Sequence, residues 1–422
     1  MAKINIERMM HRNSIAVLGE TAASYCLVKL IPTGEATGGK ALGLNLALVL
    51  DVSGSMYEED GTGIARLKRV QNAAKSAMNK LKPTDSLAVV GFAYNASVLL
   101  PSTPLSDKTK INECIDKVDM YDVDPGGTSM DQGIQLGMDE VKKQPQAGRL
   151  SQVVVLTDGE TSGEVTCRQL AKKCAAEKVH LDLMGVGTEW NASLIKDLAK
   201  ESNGNWYYID VNQADAAAEV FKEAFDTLAS AGFLNVEMHI KPIKDIKVKR
   251  LRQVAPEIKP IELKEPEASH MVGQLGTLER DKATKYVIDL TLPKRPDGKY
   301  VIAQLEISFD PGTGKRESIT VPLEVTYTSA GHGYINAEVA KHIDEIQIAE
   351  LNSSLQSAIE QGKTGDVQKV AEQIMKKGEV MGKAGAKKTM LAKQVLQEIN
   401  SGGRVSKKTQ LAMDDAAREA MA

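Results

Sequence analysis

The sequence predicts an α/β chain: a doubly wound, mostly parallel sheet with helices on both faces, joined to a discontinuous antiparallel β-sandwich and a C-terminal helical region. Three patterns predict it. Between Leu44 and about Ala231, short apolar runs alternate with segments of helical period, as expected when parallel strands are covered on both sides by their crossover helices. Between Phe233 and Thr328, Pro-interrupted stretches alternate apolar and polar residues, which is how antiparallel strands with one buried face read. Beyond Gly331-His332-Gly333 the period returns to that of amphipathic helices.

In chain order, residues 14–31 are strand-like (Val17, Thr21, Tyr25, Leu27) yet precede the α/β unit, with no other sheet to join. They are expected to pair with the later sandwich, which makes it discontinuous. Residues 44–50, 87–92, 153–156 and 181–186 are nearly continuous apolar runs, with 206–209 a further short one; strands buried on both faces read this way. Helical period appears at Leu67, Val70, Ala74 and Ala77, at Ile111, Ile115 and Val118, and at Ile134, Met138 and Val141, each between two strands. Further helices are expected at about 165–177, 194–201 and 214–229. In the sandwich, 236–240, 286–292 and 302–308 are strands, and Pro296-Asp297-Gly298 and 311–314 are turn signals. The helical tail shows period at Ile343, Ile346 and Leu355, at Val367 and Ile374, and at Leu391 and Val395, broken by glycines at 362–365 and 382–385. The expected division is 1–41 as a strand segment joining the sandwich, 42–231 as the α/β domain, 232–330 as the sandwich and 331–422 as the helical region.

Composition narrows the function. The chain has 422 residues with 53 Lys and Arg against 56 Asp and Glu, a net charge of −3, so no global positive field exists to attract nucleic acid or a membrane surface. No apolar run approaches the roughly 18 to 20 residues of a membrane span, and the first thirty residues carry no apolar signal core. Four scattered cysteines, Cys26, Cys114, Cys167 and Cys174, are expected to be reduced thiols. A cytoplasmic location is expected. Residues 34–40 fit G-x-x-x-x-G-K, but Ala41 stands where a phosphate-binding loop needs Ser or Thr, and a strand follows where a helix should. A flexible linker is the better reading.

The chemistry collects at the end of the first long strand, where Asp51, Ser53 and Ser55 fall at alternate positions around Gly54. A strand end at the carboxyl edge of an open α/β sheet is where such sheets bind ligands. Gly126-Gly127-Thr128 enters the helix beginning near Ser129, and Thr157-Asp158-Gly159 ends the strand 153–156, so both loops return to the same rim. Carboxylate and hydroxyl oxygens without sulfur or imidazole favour magnesium, or manganese or calcium, over zinc or copper. The plainer alternative is that Asp51 and Asp158 only cap helices or tighten loops.

The ordered motifs D-x-S-G-S, G-G-T and T-D-G, each on the expected strand end or loop, resemble the von Willebrand factor A domain over about 190 residues. The resemblance implies a metal-ion-dependent adhesion site formed by Asp51, Ser53, Ser55, Thr128 and Asp158, holding Mg2+ (alternatively Mn2+ or Ca2+). A cation bound mainly by neutral hydroxyls stays electrophilic and takes an Asp or Glu side chain from a protein partner. The wider layout is similar to bacterial relatives of inter-alpha-trypsin inhibitor heavy chains. Catalysis is not expected: none of the six histidines falls in a rim loop and the G-x-S-x-G elbow is absent. The functional expectation is a cytoplasmic, metal-dependent scaffold in a bacterial signalling or stress-response assembly; the alternative is a regulatory subunit of a chelatase-like AAA+ ATPase machine.

Overall fold

A computed structural model of the chain describes residues 3–17, 21–33, 42–59, 63–120, 123–145, 147–402 and 404–420. The glycine-rich segment 34–41 lies outside these. The chain begins with strands β1 (Lys3–Met10), β2 (Ile15–Ala16) and β3 (Thr21–Thr33). An α/β series follows: β4 (Gly43–Asp51), α1 (Arg66–Met78), β5 (Ser86–Phe92), β6 (Ala96–Pro104), α2 (Lys108–Asp116), α3 (Met130–Lys142), β7 (Arg149–Thr157), α4 (Glu164–Ala176), β8 (Val179–Val186), α5 (Ala192–Glu201), β9 (Trp206–Ile209) and α6 (Ala216–Ala229). Eight strands come next: β10 (Ala231–Pro242), β11 (Lys247–Ala255), β12 (Lys259–Ile261), β13 (Leu263–Glu267), β14 (His270–Glu279), β15 (Thr284–Pro293), β16 (Gly298–Asp310) and β17 (Glu317–Thr328). Four helices end the chain: α7 (Ala337–Glu360), α8 (Thr364–Val380), α9 (Ala386–Asn400) and α10 (Lys407–Arg418).

Two compact units result, one built from Glu35–Asn235 with Asp310–Arg316, the other from Ala2–Gly34, Val236–Phe309 and Glu317–Ala422. The first holds a six-stranded sheet in the order β6-β5-β4-β7-β8-β9. Every neighbouring pair is parallel except β5 with β6. β5 is buried at every position, as a central strand covered on both faces must be. Leu46, Leu48 and Leu50 of β4 share one core with α1, α2 and α6. Val49 lies on the other side, under α3, where Gly133 and Gly137 bring the helix backbone close to the sheet. The edge strand β6 departs from the sequence expectation, which had no strand there. Pro101 within the run and two register shifts against β5 mark a bulged edge, where a missing N–H costs no ladder bond.

The second unit contains two sheets, β1-β3-β15-β11-β12 and β13-β14-β10-β16-β17-β2. β3 pairs antiparallel with β15, Leu27 opposite Val287, so the N-terminal segment is part of the sandwich. Residues 14–31, however, do not form one strand. Ile15–Ala16 pairs with β17 in one sheet and Thr21–Thr33 with β15 in the other. Asn336 caps α7 by accepting from Glu338 N at 3.0 Å and Val339 N at 3.1 Å. Val339, Ile343 and Ile346 then pack on Leu27, Val254 and Val287. The other end of the helical region is pinned by Glu257, which meets Arg418 and Lys259, each at 2.9 Å. Burial pushes the Glu257 carboxyl up, but Lys259 and Arg418 outweigh it and hold the pKa down to about 2. All four cysteines are buried and unbridged, and burial raises Cys26, Cys167 and Cys174 to about 12. Among the described residues no helix is long and apolar enough to cross a membrane.

Candidate metal centre

The site begins where β4 stops. Val52 N still donates to Phe92 O at 2.9 Å, which holds the strand end in the sheet. Ser53 is extended, and a single 3-10 turn over Gly54–Tyr57 follows. That turn folds the chain back so that Ser53 Oγ and Ser55 Oγ lie 3.2 Å apart. Asp51, fully buried, spends both carboxylate oxygens locally: Oδ1 accepts from Ser53 N at 2.9 Å and Oδ2 from Thr157 Oγ1 at 2.7 Å. Ser55 Oγ donates to Asp158 Oδ1 at 2.7 Å, and Arg66 Nη1 donates to Asp158 Oδ2 at 2.8 Å. One hydrogen-bonded chain thus links Asp51, Ser53, Ser55 and Asp158 across the ends of β4 and β7.

Thr128 reaches the same rim from the loop before α3. Gly127 adopts φ 73°, a left-handed turn suited to glycine. Ser129 N donates to Ala93 O at 2.6 Å, and Thr128 O accepts from Thr161 Oγ1 at 2.9 Å and Ser162 N at 3.4 Å. Thr128 Oγ1 would stand 3.7 Å from a Cβ placed on Gly159; the hydroxyl therefore faces the Asp158–Gly159 loop across a gap that glycine leaves open. All five residues singled out from the sequence meet at the carboxyl rim, four in one bonded chain and Thr128 on the adjoining loop.

Burial raises the Asp51 carboxyl to a pKa of about 6; hydrogen bonds from Ser53 and Thr157 pull it down, and the neighbouring Asp158 charge pushes it further up. Two carboxylates stand at the rim, at 0% and 1% exposure, and Arg66 pairs with only one of them, Asp158, a balance that leaves negative charge there when both are ionised. The donor set suits a hard divalent cation. Two hydroxyl oxygens 3.2 Å apart stand near the ~3 Å separating adjacent ligands of an octahedral ion with ~2.1 Å bonds. Among the described residues, no group of three or more His, Cys, Asp or Glu is arranged to hold a metal; any cation here is met by hydroxyls as much as by carboxylates.

Two residues of this cluster escaped the sequence reading. In the sequence Thr157 reads as part of a motif, and its role as the anchor of Asp51 emerges only from the fold. Arg66 carries no distinguishing signal in the sequence, because Lys68 and Arg69 share the first turn of α1 with it.

The von Willebrand factor type A family model matches residues 46–160, the stretch that carries Asp51, Ser53, Ser55, Arg66, Thr128, Thr157 and Asp158. This part of the chain is a von Willebrand factor type A domain. Whole proteins are similar over longer stretches. The uncharacterized protein sll0103 of Synechocystis is 29% identical over 68% of this chain and 66% of its own length. The mouse inter-alpha-trypsin inhibitor heavy chain H2 is 24% identical over 46% of this chain and 21% of its own. The chain therefore spans two-thirds or less of these relatives. Among solved structures, a von Willebrand factor type A protein from Catenulispora acidiphila aligns over 99% of this chain and 97% of its own at 15% identity, with a TM-score of 0.77. The ArnB paralog VWA2 from Sulfolobus acidocaldarius aligns over 98% of both chains at 14% identity and a TM-score of 0.59. At these identities the match is one of fold: the sheet, the sandwich and the terminal helices together.

Proposed function

We propose that the chain is a metal-dependent protein-binding module that captures an Asp or Glu side chain of a partner through a divalent cation, without catalysis. The observation that carries the reading is the bonded chain Asp51–Ser53–Ser55–Asp158, with two hydroxyl oxygens 3.2 Å apart at the sheet rim. Ser53, Ser55 and Thr128 hold the ion, with Asp51 and Asp158 beside them. A bound Mg2+, or Mn2+ or Ca2+, supplies a positive field whose open positions take an anionic oxygen. The protein's own work is positional. Thr157 and Ser53 N fix the Asp51 carboxylate, which in turn fixes the Ser53 turn, and the Thr161 hydroxyl tethers the loop bearing Thr128. Ser55 and Arg66 hold Asp158. The setting proposed for it is a cytoplasmic scaffold in a bacterial signalling or stress-response assembly, a reading that the four buried, unbridged cysteines support only as far as a reducing compartment.

The test is Mg2+ calorimetry on the purified chain together with capture of partners from the source organism, comparing wild type with Asp51→Ala and Thr128→Ala. The expected result is cation uptake and Mg2+-dependent capture by wild type, both lost in the variants. Uptake of no divalent cation by a folded wild-type chain overturns the reading.

A further inference from the structure

Arg66 is placed against the usual electrostatics of a helix. It is the first residue of α1, where the free N–H groups already present positive charge. Nevertheless its side chain is largely buried, at 17% exposure, with Nη1 at 2.8 Å from Asp158 Oδ2 and Nη2 at 3.4 Å from Glu58. Nη1 also lies 3.5 Å from Ser55 O, while the buried Nε has no hydrogen-bond partner. The guanidinium neutralises the buried Asp158 carboxylate, yet its own Nε is left unsatisfied. Among the described residues, its one close buried partner is a carboxylate of the proposed metal site.

Charge counting gives the consequence, which rests on the function proposed above. A divalent ion beside ionised Asp51 and Asp158 sums to zero and has little net attraction for a further carboxylate. Adding Arg66 makes the sum of the buried groups +1, offset only in part by Glu58, whose carboxylate is exposed and screened by solvent. We propose that Arg66 sets the specificity of this site in two opposed directions: it weakens uptake of the cation, by like charge and by holding Asp158 Oδ2, and it strengthens the loaded site's grip on an incoming carboxylate. The site then stays receptive to anions even when both aspartates engage the ion. A purely structural arginine would move both affinities the same way when removed.

The experiment uses the full chain, Mn2+ as the ion and acetate as the carboxylate probe. Calorimetry reads Mn2+ uptake, and the water-proton relaxivity of the loaded protein falls as acetate replaces bound water. For Arg66→Gln the expected result is Mn2+ affinity raised at least about 3- to 10-fold and acetate affinity lowered by a similar factor, the scale of one unit charge about 4 Å away under water-like screening. Arg66→Lys, which keeps the charge, should stay near wild type in both. Glu58→Gln changes an exposed side chain (65%) and leaves the buried guanidinium in place; removing that negative charge should shift both affinities the opposite way, which preserves the test if Arg66→Gln fails to fold. The proposal is overturned if both affinities of Arg66→Gln fall together or stay unchanged, if Arg66→Lys behaves as Arg66→Gln, or if Glu58→Gln moves neither. Absence of Mn2+ uptake by wild type instead overturns the metal site itself, and the Arg66 role with it.

Discussion

Replacing Gly133 with alanine sets two effects against each other. In an open helix the change is favourable, because glycine in a helix interior is about 1 kcal/mol worse than alanine. Here an added Cβ would lie 2.8 Å from Val49 Cγ1 and 3.1 Å from Phe92 Cδ1, and both neighbours are fully buried. They belong to adjacent hydrogen-bonded strands, β4 and β5, so neither can retreat without shifting a strand. Overpacking of this kind costs about 1–3 kcal/mol, and the rigid neighbours favour the upper half of that range. The expected net loss is therefore about 1–2 kcal/mol, despite the gain in helix propensity. Urea denaturation followed by tryptophan fluorescence measures it directly, since both tryptophans, Trp190 and Trp206, lie in the α/β unit. Gly365→Ala, where a Cβ meets nothing within 4 Å, is the companion variant and should gain about 0.4–1 kcal/mol by far-UV circular dichroism. Gly133 also bonds back to Ser129 O, next to Thr128, so the alanine variant should take up Mg2+ more weakly. A Gly133→Ala protein as stable as wild type would refute the claim that α3 is held against the sheet by missing side chains.

Gly185 packs so tightly on the Trp190 ring that an added methyl group must expel it; Gly185→Ala should cost about 3 kcal/mol and red-shift the emission of this buried tryptophan. Glu257 has a folded pKa of about 2 against an ordinary 4.5. Its contribution, on the order of 2–3 kcal/mol, is present above about pH 4.5 and disappears as pH falls towards 2; Glu257→Gln should flatten that part of the acid denaturation profile. Asp51 shifts the other way, to about 6. The folded metal-free protein therefore keeps a proton between about pH 4 and 6 that the unfolded chain releases, and its stability falls as pH rises through that window. Asp51→Asn should remove the slope, and wild-type Mg2+ uptake should weaken up to about tenfold for each pH unit below 6.

The parallel strands were legible because burial on both faces leaves an unbroken apolar run, as in Leu44–Leu50 and Val153–Leu156. The gathering of Asp51, Ser53 and Ser55 was legible because a strand end with a glycine turn has few ways to place alternate side chains. Edge strands were harder. β6 carries Pro101, and β1 reads Lys-Ile-Asn-Ile-Glu-Arg-Met-Met, half of it polar, because an edge or surface strand lacks the second buried face that enriches a run. β11 alternates lysine and arginine with apolar residues for the same reason, its Arg252 held at 2.8 Å by Asp289 on β15. Arg66 was hidden for a different cause. Its partner Asp158 lies far along the chain, and a sequence contains no term for charges that meet only after two strand ends become neighbours.

The pairing of β3 with β15 has a consequence for biogenesis. Leu30 cannot find Thr284, nor Leu27 find Val287, until the ribosome has delivered the whole α/β unit and most of the later strands. Through that interval the antiparallel pair β1–β3 must keep an apolar strand carrying Leu27, Val28 and Leu30 away from other nascent chains, with one of its edges uncovered. Closing so long a loop is slow even when thermodynamically cheap. A strand made ahead of the whole α/β unit is thus among the last to become native, and truncations that stop translation before residue 284 should release a chain that aggregates through β3.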